Sequence, residues 1–144
     1  MEEQRKALHF EFKVQGGDFS GAGEASSRVK KILQQIGVQT DIVRRVAISC
    51  YEAEMNVVIH AKSGTVLLDA DLDRVIVTVD DQGPGIEDIA RAMTPGFSTA
   101  PDSVRELGFG AGMGLPNMKN NATVMDVTSE HGKGTTVRMV FENA

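Results

Sequence analysis

The chain has 144 residues, of which 41% are hydrophobic and 24% charged, with a net charge of −5; this fits one globular domain and excludes the disordered and membrane-spanning classes. The acidic balance argues against nucleic acid or an anionic membrane as partner and leaves a protein surface as the expected one. The charged start Met1–Lys6 lacks the apolar stretch of a signal peptide, no segment has the roughly eighteen apolar residues of a membrane span, and Cys50 is the only cysteine, so a cytoplasmic location is expected.

In chain order, Leu8, Phe10, Phe12 and Val14 alternate with polar residues and predict a strand ending at Gly16-Gly17. Ala25, Val29, Ile32, Leu33 and Ile36 recur at helical spacing, with Gly37 placed for a left-handed C-terminal residue. Thr40 or Asp41 can cap a second helix that runs to about Ala61 and stops at Ser63-Gly64. Thr65 to Leu72 and Arg74 to Asp80 read as a hairpin turning near Asp73, and Ile86 to Met93 as a short helix. After a segment rich in Gly, Pro, Ser and Thr comes a helix over Gly114–Asn121, with Pro116 tolerable in its first turn. Val124–Ser129 and Thr135–Phe141 form a terminal hairpin. This order predicts a single domain over 1–144, an α/β (α+β) two-layer sandwich with helices on one face of a mixed, mainly antiparallel sheet.

On the second helix, Val43, Val46, Ala47, Cys50, Ala53, Val57 and Ala61 share an apolar arc, which makes Cys50 a core residue; Glu52 and Asn56 lie together opposite. A solvated polar face would explain that pair as well. Chemically, however, the amide oxygen of Asn56 suits Mg²⁺, an ion that takes its remaining ligands from water and phosphates. Glu52, one turn earlier, could accept a proton from a hydroxyl or water attacking a terminal phosphate. His60 has no assigned role.

Asp81 follows the apolar run Val75–Val79 and precedes Gly83-Pro84-Gly85, whose glycines let a ligand approach the backbone. Its carboxylate could accept a hydrogen bond from the amino group of adenine; an Asx turn at a strand end is the alternative. Gly108, Gly110, Gly112 and Gly114 alternate up to the start of a helix and could surround phosphate oxygens with their amides, or form a loop without a ligand. Asp69-x-Asp71-x-Asp73 fails as a calcium loop, because Arg74 holds the position that needs glycine. Met55, Met125 and Met139 read as packing residues.

Together these motifs resemble the GHKL ATPase superfamily: Glu52-x-x-x-Asn56 is similar to its N box, Asp81-x-Gly83-x-Gly85 to its first glycine box, Gly112-x-Gly114 to its second and Gly134-Thr135 to its third. The resemblance implies a Bergerat ATP-binding fold, with ATP and Mg²⁺ between the N-box helix and a lid at about 94–113. It places Asp81 and Thr135 at adenine, and Gly83, Gly85, Gly110, Gly112 and Gly114 around the nucleotide. Within the superfamily the chain is similar to the bacterial anti-sigma factor/serine-protein kinase family. Asp81-Gln82-Gly83-Pro84-Gly85-Ile86, Gly96-Phe97-Ser98-Thr99 and Gly112-Met113-Gly114-Leu115-Pro116 look closest to its stressosome switch kinases. That implies transfer of the ATP γ-phosphate to Ser or Thr of a STAS-domain antagonist, with a sigma factor or phosphatase as further partner and homodimers as an option. An ATP-dependent binding protein with little kinase activity is the alternative. Two features depart from the family pattern: the glycine-rich segment Ala100–Ala111 is longer than usual, and Glu54 stands in the apolar arc where a small or apolar residue is common.

Overall fold

The structure, a computed structural model, describes residues 8–85, 93–94, 114–130 and 132–142. Five strands, β1 (Leu8–Gln15), β2 (Ser63–Ala70), β3 (Arg74–Asp81), β4 (Val124–Glu130) and β5 (Gly134–Glu142), form one sheet in the order β1-β2-β3-β5-β4. Every neighbouring pair is antiparallel. Three helices, α1 (Glu24–Ile36), α2 (Thr40–His60) and α3 (Gly114–Asn121), complete the described elements. The expected helix over 86–93 and most of the lid fall outside the described residues.

Period-2 alternation decides which side of the sheet the helices cover. Phe12, Val66, Val79, Val137 and Val127 form one cross-strand row, and Phe10, Leu68, Val77, Met139 and Met125 another. The central members of these rows are buried in one core with Val46, Cys50, Ala53 and Val57 of α2. The arc expected on α2 is wider than its sequence suggested. Ile42, Met55 and Val58 are buried as well, since α2 is flanked by both α1 and α3 above the sheet. Ser49 is fully buried with no hydrogen-bond partner for its hydroxyl among the described residues, whereas Ile48 remains exposed.

The helix boundaries show which local signals operate. Gly37 adopts φ 88° at the end of α1, with its N–H bonded to Gln34 O and that of Val38 to Leu33 O, as a left-handed helix end requires. The cap expected at Thr40 or Asp41 is not formed. Gln39 is the N-cap residue of α2 and makes no side-chain cap bond, while Asp41 binds Arg44 and Arg45 instead. Nor do Ser63 and Gly64 end the helix as loop residues, for they open β2. A Cβ on Gly64 would lie 2.9 Å from both methyls of Val57, so glycine there lets α2 pack directly against the strand.

The start of α1 is completed from a distance. Gly23 precedes it at φ 94° and makes no side-chain cap bond. The carboxylate of Glu54, only 2% exposed, accepts the N–H groups of Gly23 at 3.0 Å, Ala25 at 3.2 Å and Ser26 at 3.0 Å. A buried carboxylate inside an apolar arc is thereby explained: it satisfies the orphan donors of a neighbouring helix and meets the positive end of its dipole.

Candidate active site

Glu52 and Asn56 emerge together on the side of α2 that faces α3, as their four-residue spacing requires. Both are partly buried. A Cβ on Gly114, the first residue of α3, would stand 3.4 Å from Glu52 Oε2 and 3.4 Å from Asn56 Oδ1. Glycine at this position thus brings no side chain of its own against either group. Asn117, one turn along α3, points Nδ2 at Glu52 Oε1 at 3.5 Å.

The two helices are aligned by Arg45. Its Nη1 donates to Asn121 O and its Nη2 to Glu142 O, each at 2.9 Å, while Nε pairs with Asp41 at 3.2 Å. One guanidinium thus ties α2 to the carbonyl end of α3 and to the last residue of β5, a multiple engagement that suits its planar fork.

A second group of polar residues gathers at the ends of β3 and β5. Asp81 lies two residues beyond Val79, so it shares the helix-facing side of the sheet, and its Oδ1 accepts the N–H of Thr135 at 3.1 Å. A Cβ on Gly134 would collide with the carbonyl oxygen of Asp81, and Gly134 has φ 142°. Glycine is required there on both counts. Thr135 Oγ1 contacts Ser129 Oγ at 2.9 Å, and Ser129 donates to Gly134 O at 3.1 Å. Gly83 packs against Ala61, and Gly85 takes φ 79°. Gly132 N–H reaches Pro84 O at 2.7 Å, joining this loop to the β4–β5 turn. Burial pushes the Asp81 carboxyl above its ordinary range; the nearby charge of Asp80 adds to the rise, and the N–H groups of Thr135 and Gly83 oppose it.

Of the residues singled out by sequence, Glu52, Asn56 and Gly114 thus meet at the α2–α3 contact, and Asp81, Gly83 and Thr135 meet at the β3–β5 ends, with Gly85 on the adjoining loop. Gly110 and Gly112 lie outside the described residues. Two residues of interest, Asn117 and Ser129, carried no expectation from the sequence, and Glu54 stood there only as a departure without a role. For Ser129 a signal existed, because the hairpin around Gly132 sets it opposite Thr135. The others depend on helix–helix contacts that no local pattern records.

The donor set fits a magnesium nucleotide in its chemistry. Among the described residues no group of three or more His, Cys, Asp or Glu could hold a metal ion, so a divalent ion beside Asn56 would take its other ligands from phosphate and water, as Mg²⁺ commonly does. Two clefts on the described surface, one between β1, α1 and α2 and one over the opposite strand faces, contain none of Glu52, Asn56 or Asp81. The candidate site is thus defined by two groups of polar residues, one at the α2–α3 contact and one at the β3–β5 ends, each with a bare glycine beside it.

Residues 21–141 match the model of the histidine kinase-like ATPase domain. The chain belongs to that family. Among its relatives is the anti-sigma F factor of Caldanaerobacter subterraneus, 39% identical over 93 residues that cover 61% of this chain and 62% of that protein, which is less than two thirds of its length. The serine/threonine-protein kinase RsbT of Bacillus subtilis is 28% identical over 115 residues, covering 77% of this chain and 80% of that one. In fold, the chain superposes on a chain of the SiaB-SiaC complex from Pseudomonas aeruginosa with a TM-score of 0.66, covering 96% of this chain and 92% of that one at 14% identity. The family resemblance read from the motifs is borne out, and so is the α+β fold class.

Proposed function

We propose that this protein is an ATP-dependent serine/threonine kinase of the partner-switching type, the whole chain acting as one ATP-binding domain. The observation that carries this reading is the meeting of Glu52, Asn56 and Gly114 at the α2–α3 contact. Glu52 accepts the proton of the attacking Ser or Thr hydroxyl. The amide oxygen of Asn56 holds Mg²⁺, which when bound neutralises charge on the phosphates. The ionised Asp81 accepts a hydrogen bond from the amino group of adenine; Thr135, fixed against it, completes that end, and the amides around Gly83, Gly85, Gly110, Gly112 and Gly114 border the nucleotide. Similarity to a named serine/threonine kinase supports transfer to a protein, and a STAS-domain antagonist in the cytoplasm is the proposed acceptor.

Similarity to an anti-sigma F factor favours a second reading, in which ATP organises a docking surface and transfer is slight. Incubation with γ-labelled ATP and candidate STAS-domain proteins separates the two. The kinase reading expects label on Ser or Thr of the partner. A stable ATP-dependent complex without transferred label supports the binder. In the same assay Glu52→Gln should bind ATP normally but transfer at least about 100-fold more slowly, in line with the contribution of a general base; undiminished transfer removes Glu52 from the mechanism.

A further inference from the structure

Resting on the reading of Glu52 as general base, we propose that Asn117 is the positioning residue that orients the Glu52 carboxylate. A glutamate has three rotatable side-chain bonds, and a base must present a lone pair in one direction, so an anchor on one oxygen has a clear use. The two oxygens of Glu52 are divided in this way. Oε1 faces Asn117 Nδ2 at 3.5 Å, while Oε2 is the oxygen closest to the position a Cβ on Gly114 would take, beside Asn56 Oδ1. Oε2 is therefore the proton acceptor and Oε1 the tethered atom.

The chemistry of the donor matches the task. An amide N–H is a directional donor without charge, so it fixes one carboxylate oxygen without bringing a second ion into the site. Asn117 is itself held in place, since its main-chain carbonyl accepts Asn121 Nδ2 at 2.8 Å and the carbonyl of Asn121 is clamped by Arg45 at 2.9 Å. The Arg45–Asn121, Glu52–Asn117 and Asn56–Gly114 contacts run in order along the antiparallel helices α2 and α3, so the tether belongs to a registered contact between them. The separation of 3.5 Å is long for a hydrogen bond, and catalytic contacts often tighten when substrate binds.

The test is a double-mutant cycle of Asn117→Ala with Glu52→Gln, supplemented by Asn117→Asp, using label transfer from γ-labelled ATP. Asn117→Ala should lower kcat on the order of tenfold, the size expected for a hydrogen bond to a charged group, with KM for ATP unchanged. Asn117→Asp, the same shape with a repelling charge, should lower it further. On the residual rate of Glu52→Gln, Asn117→Ala should have no added effect. In the ligand-free protein, the side-chain amide resonance of Asn117 should shift on Glu52→Gln, a readout that needs no turnover. An unchanged kcat in folded Asn117→Ala, an equal loss in both backgrounds, or an unmoved amide resonance overturns the role of Asn117 alone. Full transfer by Glu52→Gln overturns the base reading and this role with it.

Discussion

The N–H of Thr135 donates to Oδ1 of Asp81 at 3.1 Å, joining the first turnward residues of β5 to the last residue of β3 at the point where the adenine end of the site is proposed. Replacing Asp81 by Asn keeps an oxygen for that N–H but removes the charge. The folded-state pKa of Asp81 is raised by burial from the ordinary 3.8, so its favourable contribution to stability is full below 3.8, where the carboxyl is protonated, and is lost as pH rises through the raised value. Asp81→Asn should therefore melt at or slightly above the wild-type temperature at pH 7 and lose that advantage at pH 3, while ATP affinity falls at least about tenfold. Urea or thermal melts at the two pH values, with calorimetric titration of ATP, check both halves.

Glu54→Ala should be among the most damaging single changes on α2. It leaves the buried main-chain N–H groups of Ala25 and Ser26 in α1, and the half-buried one of Gly23 just before it, without an acceptor, at a cost of about 2–4 kcal/mol. Glu54→Gln should recover part of this, because one of its two acceptor atoms remains. Equal urea midpoints for wild type and Glu54→Ala would show that the cap contributes nothing.

Arg45→Lys removes the fork that reaches Asn121 O and Glu142 O together. A single ammonium cannot reproduce both contacts, and a loss of about 1–3 kcal/mol is expected from hydrogen bonds to a charged donor. Amide exchange should rise at the end of α3 more than in β2. A uniform change, or none, would argue against a local clamp.

Cys50 should be chemically silent in the native protein. Burial, aided by the charge of Glu54, pushes its thiol up to about 12, and its side chain is fully enclosed, so the reactive thiolate is scarce and inaccessible. A thiol-reactive dye at pH 8 should label it only in denaturant; rapid labelling of the folded protein would refute this environment.

The sequence made the strands legible because one face is covered: Phe12, Val66, Val79 and Val137 obey an alternation that the register turns into a single row. It also placed Glu52 with Asn56, since both belong to one helix. Signals that mislead are those with two uses. Thr40 and Asp41 have the chemistry of caps, yet Asp41 is taken by arginines, and Gly64 has the look of a terminator while it serves close packing inside β2. Residues that act between elements gave no local sign. Glu54 reads as an error in an apolar arc until α1 is set beside it, and Asn117 reads as a surface amide until α3 lies along α2.

Glu54 is also separated from the groups it caps by 28 to 31 residues, which bears on the order of folding. The first turn of α1 cannot gain its acceptor until α2 has formed and docked, and a 13-residue helix is near the lower limit of independent stability in water. The amino-terminal turn of α1 should therefore consolidate late, with low φ-values, while the carboxyl-terminal end, closed locally by Gly37, is free to form earlier.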